Sequence, residues 1–68
     1  MTDSRIRTLR KERGLSISKL SRELDINSSI LGQAERRQLV PSGGVRQVIA
    51  GFFGVGEAQL FGDNGLAL

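Results

Sequence analysis

Residues 14–36 read GLSISKLSRELDINSSILGQAER, and this segment predicts two short helices separated by a tight turn. Gly14 ends a preceding helix. Ser16 is placed to begin a new one, because its hydroxyl can accept a hydrogen bond from an orphan backbone N–H group. Side chains at helical spacing then form the inner face of that helix, namely Ile17, Leu20, Ser21 and Leu24.

The turn and the second helix are indicated by two polar residues. Asp25 lies where the chain must turn, and Asp tolerates a left-handed backbone better than most residues. Asn27 is expected to cap the second helix. The inner face of that helix is expected to comprise Ile30 or Leu31, Ala34 and Glu35. Only about three residues separate the two helices, which is the connection length of a helix-turn-helix.

Three further helices are predicted around this pair. The first is capped by Thr2, Asp3 or Ser4. The loop that follows the helix pair contains Pro41, which cannot continue a helix, and Ser42 is expected to cap the next one. Gly54 is placed as the left-handed stop of that helix. The expected bounds are about Ser4 to Arg13, Gly43 to Phe53 and Glu57 to Phe61.

A single small hydrophobic core is all that 68 residues allow. Residues 62–68 are rich in turn formers and are expected to fray. There is no sign of a repeat or of a linker between domains. The predicted core consists of Ile6, Leu9, Leu20, Leu24, Ile26, Leu31, Ala34, Ile49, Ala50, Phe53, Val55 and Leu60.

Charge is distributed unevenly along the chain. All ten Lys and Arg residues lie within residues 1–46, whereas residues 47–68 contain only the two carboxylates Glu57 and Asp63. This asymmetry favours one basic face for a polyanion and a second end with a different role. A solvated surface of mixed charge is the alternative interpretation.

Composition excludes several classes of function. The chain has no Cys and no His, so a disulfide scaffold and the usual zinc sites are excluded, and no metal or cofactor is expected. The serines lack a histidine base, and Lys11 and Lys19 are expected to be solvated, so no catalytic residues and no enzyme are expected. No apolar run approaches the roughly 20 residues of a membrane span, and no secretory signal is visible. A soluble cytoplasmic protein is expected.

An ordered series of markers between Ile6 and Phe61 resembles the Cro/lambda-type repressor helix-turn-helix family, whose members are xenobiotic-response-element-like transcriptional regulators. The resemblance implies an all-α, compact five-helix lambda-repressor-like DNA-binding domain over residues 1–61, with the helix-turn-helix at helices 2 and 3. Residues 62–68 are then a short C-terminal tail. The markers are Leu9-Arg10, Gly14-Leu15-Ser16, Leu20, Leu24, Ile26, Glu35, Pro41-Ser42, Ala50, Gly54-Val55 and Leu60-Phe61.

The function that this resemblance implies is that of a sequence-specific transcriptional regulator, a repressor or autoregulator that binds double-stranded DNA. Bases are expected to be contacted by the exposed start of helix 3. Gln can bond bidentately to adenine, Ser is promiscuous, and Ile can pack against a thymine methyl group. The expected base contacts are Ser28, Ser29, Ile30 and Gln33. Ser28 and Ser29 have the alternative role of capping the helix that they begin.

Phosphate contacts are expected from helix N-termini, whose free N–H groups and dipole attract anions, and from the basic loop after helix 3. For each basic side chain the alternative is a solvated surface charge. The expected contacts are Ser16, Ile17, Ser18, Lys19, Arg36, Arg37, Gln38, Ser42, Gly43 and Gly44.

Arg10 and Glu35 match two family residues that form a salt bridge between helices 1 and 3, so the resemblance implies a structural ion pair here. The chain also departs from the family at several positions. Ile17 replaces a common Gln, and Ile30 replaces a small polar residue, which places two apolar side chains near the expected DNA surface. Ser21 stands where the family usually has Ala and is expected to donate to a carbonyl one turn earlier. Arg37 stands where Gly is usual.

Helix 4 carries a second apolar line beside its core face, which favours a homodimer on a near-palindromic operator. The expected dimer interface is Val45, Val48, Phe52, Leu60 and Phe61. In the alternative, this line merely widens a small core. A rival hypothesis is a protein-interaction module on the same fold, an antitoxin or anti-regulator, in which apolar surface residues dock a protein partner such as a toxin or another regulator. The residues of this rival docking surface are Ile17, Ile30, Val48 and Phe52.

Overall fold

Short polar side chains begin the first four helices. The side chains of Ser4, Ser16 and Ser42 each accept a hydrogen bond from the backbone N–H three residues later, and Asn27 accepts from two N–H groups. These caps satisfy donors that have no partner inside a helix. The structure, a computed structural model, describes residues 3–68, so the alternative cap Thr2 lies outside the described residues.

The chain folds into five helices over these residues, as predicted, with each boundary within a residue or so of its expected position. They are α1 (Arg5–Glu12), α2 (Ile17–Leu24), α3 (Ser28–Glu35), α4 (Gly43–Phe53) and α5 (Glu57–Leu60). Asp25 and Gly54 adopt the left-handed conformation that was expected of them, with φ of 54° and 71°. These two residues stop α2 and α4.

The core lies between α1, α2, α3 and α4 and is closed at one side by α5. Its fully buried side chains include Ile6, Leu20, Leu31 and Ile49. The predicted core residues Leu9, Leu24, Ile26 and Val55 are only partly buried, but they pack against this cluster. Phe61 and Ala67 are core residues that the sequence pattern did not indicate.

Residues 62–68 are not frayed, so that expectation is wrong. The segment turns at Gly65 and returns as an antiparallel bridge between Phe61 and Ala67. The Leu68 N–H donates to the Leu60 carbonyl at 2.8 Å, and the Leu68 carbonyl accepts from the Arg5 N–H at 2.7 Å. The small Ala67 side chain is buried in the core, and this packing stabilises the folded position of the segment.

No helix within residues 3–68 is long and apolar enough to cross a membrane. The same residues contain no group of three or more His, Cys, Asp or Glu side chains able to hold a metal ion.

Candidate nucleic-acid interface

Two hydrogen bonds between Ser21 and Ile26, one donated by each residue, close the turn between α2 and α3. The Ile26 N–H donates to the Ser21 carbonyl at 3.1 Å, and the Ser21 hydroxyl donates to the Ile26 carbonyl. The expectation that this hydroxyl bonds back to a carbonyl one turn earlier is therefore wrong, because the left-handed Asp25 brings a free carbonyl within reach. The turn fixes where α3 leaves α2.

Helix α3 has one buried and one exposed face. Leu31, Ala34 and Glu35 are buried against the core. Ser28, Ser29 and Ile30 are exposed, and Gln33 is partly buried. Because Asn27 supplies the cap, the hydroxyls of Ser28 and Ser29 are not needed for it. The start of α3 therefore exposes two polar side chains and one apolar side chain to solvent.

Arg10 ties α3 to the rest of the fold. Its Nε lies 2.9 Å from Glu35 Oε2 and its second terminal nitrogen 2.7 Å from Oε1. The remaining terminal nitrogen donates to the Leu15 carbonyl at 2.7 Å. The hydrogen bonds to Glu35 raise the pKa of the Arg10 guanidinium above its ordinary value, against a smaller opposing effect of burial. One side chain thus joins α1, α3 and the loop before α2.

At the N-terminus of α2, Ile17 lies on the inner face of the helix, as its spacing predicts. Its side chain is half-buried and packs against the core, so it contributes little to an exposed surface. Ser16, Ser18 and Lys19 are exposed, although the Ser16 hydroxyl already accepts from the Lys19 N–H. At this end of α2, an anion would meet backbone N–H groups of the first turn and the Lys19 ammonium.

The N-terminus of α4 has similar chemistry. Ser42 and Gly44 are exposed and Gly43 is partly buried. The Ser42 hydroxyl accepts from the Val45 N–H at 3.3 Å. First-turn N–H groups of α4 are therefore directed outward beside two glycines that place no side chain in front of them.

The loop after α3 is basic and exposed. Arg36, Arg37 and Gln38 follow the last turn of α3, and Arg36 Nε lies 3.3 Å from Gln38 Oε1. Arg37 has a left-handed φ of 62°, which places an arginine where a glycine is favoured. Its Nε donates to the Ala67 carbonyl at 3.0 Å. The Arg37 side chain thereby joins this loop to the backbone of the returning tail.

On the outer side of α4, Val48 is exposed, while Val45 and Phe52 are partly buried and pack against the core. The remaining two residues of the expected dimer face, Leu60 and Phe61, are buried inside a single chain. They form part of the core because the tail folds over them, so they offer no exposed surface.

The sequence did not indicate the roles of two further arginines. The Arg13 guanidinium lies 4.9 Å from the Phe53 ring centroid and donates to the Phe52 and Phe53 carbonyls. It therefore closes the C-terminal end of α4, where a positive charge is favoured. Arg7 faces a pocket at the end of α3. Only the regular spacing of Arg7, Arg10 and Arg13 along one side of the first helix offered a signal.

A helix-turn-helix family model matches residues 6–60, which is most of the chain. No curated protein and no solved structure matches it.

Proposed function

Because this chain belongs to the helix-turn-helix family, whose members bind DNA, we propose that it is a sequence-specific transcriptional regulator acting as a repressor or autoregulator. It binds a near-palindromic operator as a homodimer. The observation that carries this proposal is the arrangement of α3, whose buried face is anchored to the core while its first turn remains exposed. That is the arrangement needed for a helix that enters a major groove.

Base recognition falls to the first turns of α3. Gln33 bonds bidentately to an adenine, which needs its amide to reach the groove from a half-buried position. Ser28 and Ser29 donate to or accept from base edges, and Ile30 packs against a thymine methyl group. The Arg10–Glu35 ion pair supports this reading because it holds the far end of α3 in one place.

Phosphate groups are held on either side of α3. The first-turn N–H groups of α2 and α4 each face outward behind a serine cap, where the helix dipole favours an anion. Lys19, Arg36 and Arg37 add positive charge around them. These contacts position the duplex, and the side chains of α3 select the sequence.

The homodimer forms through α4, around Val48 with the exposed parts of Val45 and Phe52. Val48 and Phe52 lie within residues 47–68, which contain no Lys or Arg, so the centre of this face is separate in sequence from the basic residues proposed to hold DNA. Twofold symmetry then places two α3 helices about 34 Å apart, the spacing of successive major grooves on one side of the duplex.

A second function is favoured by two exposed apolar side chains. Ile30 and Val48 are 41% and 45% exposed, and exposed apolar side chains mark a docking surface where they are part of one contiguous patch. In this version the chain is an interaction module that binds a protein partner, such as a toxin or another regulator, and contacts DNA weakly or not at all.

Selection from a random double-stranded DNA library distinguishes the two functions. The purified protein is incubated at near-physiological salt, and retained duplexes are amplified and sequenced over several rounds. We expect a dyad-symmetric site with half-sites about 10 base pairs apart, and an affinity that falls steeply with salt. A folded protein that enriches no sequence and shows no salt-dependent binding would contradict the regulator and favour the interaction module.

A further inference from the structure

We propose that Arg7 completes a phosphate-binding pocket between the start of α1 and the end of α3, outside the helix-turn-helix itself. The inference rests on the proposed DNA-binding function and adds a contact to it. The pocket is open and has a volume of about 280 Å³. Its lining residues are Asp3, Ser4, Arg7, Glu35, Arg36, Arg37 and Gln38.

One N–H group of Arg7 lacks a hydrogen-bond acceptor in this pocket. The Arg7 Nε–H is buried and has no hydrogen-bond partner within residues 3–68, while 41% of the side chain is exposed to solvent. The nearest carboxylate oxygen, Asp3 Oδ1, lies 3.8 Å away, which is an ion-pair distance but too long for a hydrogen bond. A buried donor without an acceptor is unfavourable, and a guanidinium is best satisfied by an anion that accepts two of its N–H groups.

The charges around Arg7 favour an anion rather than a cation. Of the two carboxylates in the pocket, Glu35 is already held at two points by Arg10. Asp3 is exposed at the rim. The guanidinium groups of Arg7 and Arg36 therefore exceed the negative charge of Asp3, the carboxylate that Arg10 does not hold.

The position of the pocket favours a DNA phosphate as the occupant. Helix α3 has eight residues and is therefore about 12 Å long, close to the width of a major groove. With its first turn against the bases, its last turn lies at the groove edge, where backbone phosphates are found. The pocket lies at that last turn and opens next to the basic loop at residues 36–38.

The test compares Arg7→Gln with Arg5→Gln on a duplex selected as above. Arg5 has the same charge on the same helix, but its side chain is directed to the Gln59 carbonyl. For Arg7→Gln we expect the slope of log affinity against log salt to decrease by about 1, and affinity to fall about fivefold at 0.15 M salt, equally for specific and random duplexes. Arg5→Gln is expected to change the slope far less.

Two further variants keep the test independent of folding. Arg7→Lys retains the charge but lacks the Nε–H donor, so it should recover only part of the lost affinity. Asp3→Asn removes the competing carboxylate and should increase affinity. In the wild-type protein, the Arg7 Nε–H resonance should shift on addition of the duplex, while that of Arg5 should not.

Suppose that the wild-type protein binds DNA with a steep salt dependence. Equal salt slopes for Arg7→Gln and Arg5→Gln, or an Arg7 Nε–H resonance that does not shift when the duplex is added, would then overturn the pocket alone. If the wild-type protein binds no duplex at all, both the pocket and the proposed function are wrong.

Discussion

Arg10 and Glu35 meet at two points across the interface of α1 and α3, and only 11% and 4% of their side chains are exposed. A buried pair of this geometry contributes little beyond what apolar residues of similar volume would, but removing one partner leaves a buried charge unpaired. The pair therefore makes the orientation of α3 sensitive to substitution at a residue on a different helix.

Replacing Glu35 with Gln should decrease the free energy of unfolding by about 3 kcal/mol, because Arg10 is left without its counterion. The Arg10→Met/Glu35→Met double variant should be closer to the wild type than the two single changes predict. Urea denaturation of each variant measures its free energy of unfolding. Glu57→Gln is the control, since the Arg46–Glu57 pair is longer, at 3.6 Å, and more exposed, and its loss should cost below about 1 kcal/mol. A similar loss in both Gln variants would contradict a special role for Glu35.

The contribution of Arg10 to stability should not vary near neutral pH. Glu35 raises the pKa of the Arg10 guanidinium in the folded state, so the contribution is fully present below the pKa of the unfolded chain and is lost only as pH rises through the folded value. The difference in unfolding free energy between the wild type and Arg10→Met, measured from about pH 7 to pH 9, should therefore be constant. A steady decrease over that range would show that Arg10 loses its proton much earlier than this environment allows.

Gln33→Ala tests base recognition. If Gln33 bonds to an adenine, the variant should lose about 1–3 kcal/mol of discrimination at one base pair in each half-site, while its affinity for random DNA is retained. Repeating the selection with the variant measures the preference at every position. Gln47→Ala, on the exposed surface of α4, is the matched control. An unchanged preference at every position in the Gln33 variant would remove it from the set of base contacts.

Val48→Asp tests the dimer. Because Val48 is exposed in a single chain, the substitution should leave the stability of the monomer nearly unchanged. At a dimer interface it would bury an unpaired charge and weaken association by about tenfold or more. Sedimentation equilibrium gives the dissociation constant directly. Val40→Asp, which alters another exposed valine outside α4, should have no such effect. A wild-type protein that is monomeric at all concentrations would contradict the dimer.

Arg37 offers a test of backbone strain. Its φ of 62° disfavours any residue with a Cβ by about 1 kcal/mol. Replacing Arg37 with Gly or with Ala removes its hydrogen bond to the Ala67 carbonyl in either case. Arg37→Gly should therefore be about 1 kcal/mol more stable than Arg37→Ala in urea denaturation. Equal stability of the two variants would mean that the loop relaxes out of the left-handed conformation.

The helix boundaries were predictable because they depend on local chemistry. Ser16, Asn27 and Ser42 each accept a hydrogen bond from within the next few residues, and Asp25 adopts the left-handed conformation that its residue type tolerates. Nothing distant in the sequence is needed for these features, so they could be read from the order of residue types.

Features that depend on tertiary packing were less accessible to prediction. The sequence places Ile17 both on the inner face of α2 and near the expected DNA surface, and its side chain packs against the core. The sequence places Phe61 on the dimer face and Leu60 both there and in the core, and the tail buries both side chains. The incorrect exposure expected for Leu60 and Phe61 arises because the composition of residues 62–68 suggests a loose segment. Only the fold shows that Ala67 is buried and that its carbonyl accepts a hydrogen bond from Arg37. The buried Arg7 Nε–H also depends on the end of α3, which is almost thirty residues away in the chain.

The hydrogen bond from the Arg5 N–H to the Leu68 carbonyl makes one amide proton a reporter of the whole tail. Arg5 is the first residue of α1, and N–H groups at that position usually exchange with solvent freely because the helix gives them no acceptor. Here the acceptor lies at the opposite end of the described chain. The exchange rate of this single proton therefore measures how often the tail opens, and comparison with the core amides would show whether it opens alone or only with the rest of the fold.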